Sequence, residues 1–168
     1  RDDWLIGEEI VGPQVFPQGY ARSFSDPEGG NQPAHMDDIY TGYDDYGGVH
    51  TNSGIPNHAV YNLATATSRE FVEQVWYRTL YKNHIGSQAS FVDMADLAAV
   101  EALKTSFQEH GQEIPILVRV HPTSPGRYQI AYGHRRAKAA SDLGLKVKAY
   151  VRELDDDRLI VAQGVENS

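Results

Sequence analysis

The chain has 168 residues, 40% of them hydrophobic, and its 23 acidic and 15 basic side chains give a formal net charge of −8. This length suits one ordinary domain or two small ones. The lack of cysteine excludes disulfides and thiolate chemistry, and no apolar run is long enough to cross a membrane. The chain does not begin with Met and its start does not resemble a signal peptide, so we expect a fragment or a processed chain.

The charge is distributed unevenly along the chain. Residues 1–94 carry 13 acidic and 5 basic side chains, whereas residues 95–168 carry ten of each. Such asymmetry suggests two segments of different origin or with different partners. The acidic segment is not typical of a nucleic-acid surface.

The first half is predicted to be loop-rich and mainly helical. Residues 1–52 are rich in Gly, Pro, Asp and Tyr, which predicts long ordered loops. Helical periodicity begins at Ser53 and again after Ser68, a typical N-cap. A third helix is predicted from Ser90 to Gly111. The apolar face predicted for the second helix comprises Phe71, Val75, Trp76, Tyr77 and Leu80.

The pattern changes after Gly111, where strand periodicity begins. The predicted elements are strands over 114–120 and 128–132, a helix over 134–143, a strand over 145–154 and a helix after the acidic residues 155–157. The first two strands are expected to form a hairpin, and the expected fold class is α+β. The last helix reaches the end of the sequence without a C-cap, so we expect the chain to have been cut there.

A glycine-hinged loop presents His50 just before the first helix. The Gly47–Gly48 pair permits unusual backbone angles, and Asp44 and Asp45 lie close enough in sequence to orient one ring nitrogen of His50. Arg22 lies in a loop that could direct its guanidinium at a carbonyl. The spacing alone favours an ordinary loop histidine and an ordinary ion pair over a catalytic site.

Several ordered motifs resemble the C-terminal domain of thermolysin-family neutral metallopeptidases. They lie at residues 3–8, 22–27, 32–38, 47–57, 76–78 and 90–91, and the resemblance covers about residues 2–97. It implies that His50 hydrogen-bonds the tetrahedral intermediate of peptide hydrolysis, that Asp45 orients His50, and that Arg22 binds the substrate carbonyl. Asp3 and Glu8 resemble calcium ligands. A leucine, residue 5, stands where the family often has a carboxylate.

The zinc motif of that family is absent from this sequence. Thermolysin-type catalysis needs His-Glu-x-x-His and a downstream glutamate, and His-Glu-x-x-His occurs nowhere in the 168 residues. In the family it lies N-terminal to the point where this sequence starts. We therefore expect no zinc ligands and no peptidase activity from this chain by itself.

A second candidate site begins at Gly133. A glycine turn can bring the backbone close to a ligand, and the following helix offers its N-terminus to a phosphate. Arg135 and Arg136 add donors suited to phosphate. The spacing alone favours a helix start with two solvated arginines.

The surrounding motifs resemble the N-terminal domain of ParB/RepB plasmid-partition proteins, over about residues 98–168. They lie at residues 111–119, 128–140, 143–145 and 163–167. The family binds CTP and acts as a DNA-loading clamp, so the resemblance implies a CTP site that uses magnesium. The implied nucleotide-binding residues are Gly111, Gln112 and Pro115 in the first motif, Gly133, His134, Arg135 and Arg136 in the second, and Glu166 and Asn167 in the third.

This second resemblance also has departures. The third motif usually ends in an arginine that would follow Ser168, and His134 replaces a commoner glutamate, as in the RepB branch. The helix-turn-helix and the dimerisation region of the family are not in this sequence. We therefore expect CTP binding to be weakened and DNA to be an unlikely partner.

Together these features predict a composite chain, a chimera, fragment or designed fusion, with a peptidase-like domain over 1–97, a partition-like domain over 98–168 and a join near 97–103. No complete catalytic site is expected. Two alternatives remain open: a partition-type nucleotide-binding module, and a metallopeptidase fragment that cleaves a peptide substrate only with a partner that supplies the zinc-bearing half. The resemblances imply opposite locations, secreted and cytoplasmic, so the compartment is not predicted.

Overall fold

The chain forms two compact units, Arg1–Gln74 and Val75–Ser168. The structure is a computed structural model that describes residues 3–82 and 85–166. Its helices and short strands confirm the expected α+β class. Within these residues, no helix combines the length and the apolar character that crossing a membrane requires.

Loops dominate the first unit, as its glycine and proline content predicts. Its elements are β1 (Leu5–Ile6) and β2 (Arg22–Ser23), which pair antiparallel, the short turn α1 (Asp45–Gly48) and the helix α2 (Gly54–Ala66). The Trp4 ring joins strand and helix, because its centroid lies 6.2 Å from the ring of Phe24 and 5.5 Å from that of Tyr61 in α2. This aromatic cluster holds the end of β2 beside α2.

The third helix, α3 (Arg69–Tyr77), continues into a π-helical segment, Arg78–Lys82. The predicted apolar face is wrong at this end, since Tyr77 and Leu80 are exposed and Thr79 is buried. A π-helix has a wider turn than an α-helix. It therefore rotates the later residues away from the face that a 3.6-residue period assigns them.

The helix α4 (Phe91–His110) is unbroken over 20 residues. Ser90 caps it, because Ser90 Oγ accepts from the Asp93 amide at 3.2 Å and Asp93 Oδ2 accepts from the Ser90 amide at 2.8 Å. The Ser90 side chain and then its amide lower the pKa of Asp93. Gly111, with φ 74°, ends the helix. The predicted join at 97–103 thus falls inside a regular helix.

A three-stranded sheet in the order β4-β3-β5 forms the centre of the second unit. The central strand β3 (Ile116–Val120) pairs antiparallel with β4 (Tyr128–Tyr132) and parallel with β5 (Ala149–Val151). The predicted hairpin is confirmed. β5 is shorter than predicted and all its residues are exposed, because it forms an edge of the sheet.

Two helices, α5 (His134–Asp142) and α6 (Asp156–Glu166), complete the second unit. Two small apolar clusters form its core, one between α4 and α5 and one between α6 and the sheet. Their buried members are Phe107, Ala139 and Ala140 in the first, and Leu117, Ala131 and Leu159 in the second.

A buried arginine connects the sheet to α6. The Arg119 side chain is 8% exposed, and its Nη2 donates to Asp156 Oδ1 at 2.5 Å. Its Nε donates to Gln129 Oε1 at 3.0 Å and its Nη1 to the Leu154 carbonyl at 2.9 Å. These bonds satisfy the buried guanidinium and fix the start of α6 against β3.

Candidate functional sites

The loop before α2 brings Asp45 and His50 together. Four successive residues, Asp45 to Gly48, have φ between 51° and 81°, a left-handed turn in which the two glycines meet no steric penalty. The turn folds the Asp45 carboxylate back toward His50, so that Asp45 Oδ1 lies 2.5 Å from His50 Nδ1. Nε2 is then the ring nitrogen left to bind a ligand. The His50 side chain is 69% exposed.

The second oxygen of Asp45 binds the backbone of the same loop. Asp45 Oδ2 accepts from the His50 amide at 3.0 Å and from the Thr51 amide at 2.8 Å, and also from Thr51 Oγ1 at 3.0 Å. The His50 side chain first, and then the Thr51 amide, lower the pKa of Asp45 from 3.8 to about 2. Asp45 is therefore ionised at any ordinary pH, as a carboxylate that orients a histidine must be.

Arg22 does not reach the His50 ring in this structure. Its guanidinium donates to Ser53 Oγ, and Ser53 Oγ in turn donates to the His50 carbonyl at 2.6 Å. Gln32 Nε2 donates to the same carbonyl at 2.6 Å. Arg22 is thus connected to the histidine loop through Ser53, a residue within the loop motif that sequence reasoning did not single out.

Asp44, the other carboxylate considered as a partner of His50, has a different role. It accepts a hydrogen bond from the Tyr40 hydroxyl. Tyr40 is fixed by Asn52, whose Oδ1 accepts from the Tyr40 amide at 2.8 Å and whose Nδ2 donates to the Tyr40 carbonyl at 2.9 Å. The ambiguity between neighbouring carboxylates is resolved by the turn, which directs only Asp45 at the histidine.

Gly133 is required by packing. It has φ 94°, and a Cβ at this position would lie 2.5 Å from Cγ2 of Ile116. Any larger residue would therefore displace β3 from the start of α5. His134 follows as the first residue of α5.

The two arginines of the second motif have different surroundings. Arg136 Nη1 donates to the Pro115 carbonyl at 3.1 Å and to the Ile114 carbonyl at 3.4 Å, and its guanidinium lies 5.7 Å from the Tyr132 ring centre. Arg135 is 60% exposed, and its Nη2 contacts Asp96 Oδ1 of α4 at 2.5 Å. Arg136 therefore supports the fold, whereas Arg135 remains accessible.

Gln112 is also used by the fold. It is buried, its Oε1 accepts from the Lys148 amide at 2.6 Å, and its Nε2 donates to the Lys148 carbonyl at 2.9 Å. Lys148 Nζ returns a bond to the Gln112 carbonyl at 2.9 Å. Gln112 thus fixes the chain before β5 to the loop before β3. The sequence gives no local signal for this pairing, since the partners lie 36 residues apart.

Glu166 lies at the end of α6, and Asn167 lies outside the described residues. The third nucleotide motif therefore stays a prediction.

The model of the thermolysin metallopeptidase alpha-helical domain matches residues 1–119. The chain belongs to the thermolysin metallopeptidase family. The match extends beyond the join predicted at 97–103 and includes the first partition-like motif. The position of the domain boundary therefore stays a prediction. The extracellular elastase of Staphylococcus epidermidis is 42% identical over 92 residues, which cover 55% of this chain and 18% of the elastase.

This thermolysin-family chain is also similar to partition proteins. Replication protein B of Rhizobium rhizogenes is 54% identical over 81 residues, which cover 48% of this chain and 26% of that protein. A crystal structure of C-terminally truncated ParB from Caulobacter crescentus, complexed with CTP-gamma-S, has 38% identity and a TM-score of 0.38, and the alignment covers 51% of this chain and 44% of ParB. The chain spans about a quarter or less of the length of these two curated relatives.

Both predicted resemblances are thereby confirmed, and the chain is a composite. One part is the thermolysin alpha-helical domain, and another part resembles ParB/RepB. The acidic residues 1–94 lie wholly within the thermolysin match, whereas the balanced residues 95–168 extend beyond it.

In the part of this thermolysin-family chain that the structure describes, the side chains do not fit a metal of that family. Within residues 3–82 and 85–166 there is no group of three or more His, Asp or Glu side chains that could hold an ion. Asp3 Oδ1 accepts from the Leu5 amide at 3.4 Å, and Glu8 lines a shallow cleft with Glu9 and Ile10. The donor set therefore supports neither zinc nor calcium, and both stay expectations from the family resemblance.

Proposed function

We propose that this chain retains the part of a thermolysin-type site that stabilises the reaction intermediate, and that it cleaves no peptide by itself. The observation that carries the proposal is the hydrogen bond between Asp45 and His50. It fixes the ring through Nδ1 and leaves Nε2 for a substrate.

The chemistry that this pair can supply is limited to binding developing charge. A protonated His50 would donate from Nε2 to the oxyanion that forms when a peptide carbonyl is attacked. Arg22, through its link to Ser53, would place a second cation near that carbonyl once it exchanged Ser53 for the substrate. Activation of the attacking water must come from elsewhere, because the chain lacks His-Glu-x-x-His.

A complementation experiment tests this proposal. The chain is mixed with a separate fragment that carries His-Glu-x-x-His and zinc, and hydrolysis of a fluorogenic peptide is measured. We expect hydrolysis only in the mixture, and a loss of roughly 100- to 1,000-fold in kcat for His50→Gln, the typical effect of removing one oxyanion donor. No activity in the mixture contradicts the proposal.

His35→Gln is the matched control for that experiment. His35 is also an exposed histidine beside a carboxylate, with its Nδ1 3.2 Å from Asp37 Oδ2. It lies outside the glycine-hinged loop, so its loss should leave hydrolysis unchanged. Equal losses from both substitutions would show that His50 has no special role.

A second candidate function, nucleoside triphosphate binding, is favoured by the position of Arg135. It lies in the first turn of α5, where helix N-terminal amides favour phosphate, and it is 60% exposed. Gly111, Gln112, Pro115, Gly133 and Arg136 would build the cradle rather than contact the ligand. CTP with magnesium is the probe, because the partition family that these motifs resemble binds CTP.

Calorimetric titration with CTP and magnesium tests the second candidate. We expect weak saturable binding that Arg135→Ala reduces about tenfold, as expected for a lost charge-assisted contact to phosphate. Arg158→Ala is the control, since Arg158 is also exposed and its Nε lies 3.7 Å from Oδ2 of Asp155, the residue just before α6. Duplex DNA is expected not to bind. Absence of CTP binding, or equal effects of the two substitutions, removes this candidate.

A further inference from the structure

Asp96 forms an ion pair with Arg135. Arg135 is the more accessible arginine of residues 133–136, the segment called here the phosphate turn. Asp96 Oδ1 lies 2.5 Å from Arg135 Nη2, and the two side chains are 56% and 60% exposed. Asp96 belongs to the first turns of α4, before the predicted join. Arg135 belongs to the partition-like segment. The contact therefore links a carboxylate from one resemblance to a motif residue of the other.

The other arginine of the turn cannot replace Arg135 without cost. Arg136 donates to the carbonyls of Ile114 and Pro115 and lies over the Tyr132 ring. Turning Arg136 toward a ligand would break its bond to the Pro115 carbonyl and its contact with the Tyr132 ring, whereas the Ile114 carbonyl would keep its bond from Gln112 Nε2 at 3.0 Å. An anion at the start of α5 must therefore take Arg135 from its present partner.

We propose that Asp96 competes with anionic ligands for Arg135 and so weakens phosphate binding at the start of α5. The inference rests on the second candidate function. A carboxylate and a phosphate oxygen are acceptors for the same guanidinium donors, so a phosphate that needs Arg135 Nη2 competes with Asp96 for it. The Asp96 charge also repels a phosphate that approaches Arg135.

The exchange is feasible because the pair is exposed. Ion pairs in contact with water contribute little free energy, since solvent screens the charges and both side chains lose rotamer freedom. A triphosphate brings more negative charge than one carboxylate and can bind a guanidinium through two oxygens. The competition should therefore shift the affinity without abolishing binding.

The test compares Asp96→Asn with the unchanged chain in titrations of CTP with magnesium and of inorganic triphosphate. Asparagine keeps the size of the side chain and removes its charge. We expect both probes to bind roughly 2- to 5-fold more tightly to the variant, the range that the energy of an exposed ion pair allows. Arg135→Ala in the Asp96→Asn background should remove this gain.

Asp142→Asn is the control for the change in net charge. Asp142 lies on α5 and forms an ion pair with Lys138, with 2.5 Å between Oδ1 and Nζ. Its substitution removes the same charge from an exposed pair that does not include Arg135. Asp96→Glu, which keeps the carboxylate, should bind both probes as weakly as the unchanged chain does.

The outcomes separate this inference from the nucleotide proposal. If the unchanged chain binds CTP and Asp96→Asn binds it no more tightly than Asp142→Asn, the competition is wrong and nucleotide binding stands. Tighter binding of inorganic triphosphate to Asp96→Asn without any CTP binding supports the competition and removes the nucleotide proposal. If no protein binds either probe, both are wrong. Weaker binding to Asp96→Asn would show that Asp96 positions Arg135 for the ligand.

Discussion

The histidine loop and the phosphate turn use their motif residues in opposite ways. In the loop, the left-handed turn directs Asp45 at His50, and Asp45 orients the His50 ring by a hydrogen bond while the His50 side chain stays exposed. In the turn, Gly133 packs against β3 and Arg136 binds the chain before it, so Arg135 is the more accessible of the two arginines. Residues of one motif thus differ in exposure and in their hydrogen-bond partners, and only the structure separates them.

Gly133→Ala should lower the stability of the fold more than the other substitutions, because Gly133 packs directly against Ile116. The added Cβ would meet Ile116 at 2.5 Å in a backbone conformation that alanine adopts poorly. We expect a loss of about 3 kcal/mol or more in the free energy of unfolding, measured by urea denaturation.

Gly144→Ala is its matched control. Gly144 has φ +66° and a Cβ there would meet nothing within 4 Å. It carries the backbone penalty without the clash, about 1 kcal/mol. Equal losses at the two positions would mean that packing against Ile116 does not require Gly133.

Arg119→Met should cause the next largest loss of stability. It tests whether this arginine, which lies in the first partition-like motif, stabilises the fold. The substitution leaves the Leu154 carbonyl and Gln129 without their donor and detaches Asp156. We expect a loss of about 2–3 kcal/mol in a denaturant titration. Arg152→Met, at an exposed position that lines the same cleft as Arg119, should change stability by no more than about 0.5 kcal/mol.

Gln112→Ala extends the comparison to the first nucleotide motif. It removes the side-chain partners of both backbone groups of Lys148, and we expect a loss of about 2 kcal/mol, with faster hydrogen exchange at the Lys148 amide. Gln88→Ala, at an exposed turn, is the control and should have little effect. A Gln112 variant that keeps full stability but loses CTP binding would instead make Gln112 a ligand contact.

Asp45→Asn should have the smallest effect on stability, and its signature is the pH dependence. The folded state lowers the pKa of Asp45 to about 2 from its ordinary value of 3.8. The stability that its ionised form contributes is therefore fully present above about pH 4 and is lost as the pH falls through 2. The thermal midpoints of variant and unchanged chain should differ at pH 6 and converge near pH 2. A difference that persists at pH 2 would contradict this account.

Much of this fold follows from local sequence signals. The Ser90 cap, the hairpin and the ends at Gly111 and Gly133 were predictable, because each depends on neighbours along the chain. The exposure of Leu80 was not, since a π-helix depends on packing that periodicity does not record.

The candidate sites were predictable to a similar degree. The Asp45–His50 pair follows from the family resemblance, because spacing alone left Asp44 and Asp45 as equal candidates. The Gln112–Lys148 pair joins residues 36 positions apart and the Asp96–Arg135 pair joins residues 39 positions apart, so no local sequence pattern predicts either contact. Long-range partners of motif residues are what sequence reasoning missed.

The unbroken α4 gives the composite chain a strict length requirement. Asp96 contacts Arg135 from one part of this helix and Phe107 packs against α5 from another. Each residue advances an α-helix by about 100°, so one residue inserted between them would turn Asp96 away from Arg135 if Phe107 kept its place. Adding or removing seven residues would nearly restore the angle but shift Asp96 by about 10 Å along the helix axis. The Asp96–Arg135 contact therefore depends on the number of residues between Asp96 and Phe107 as well as on their identity.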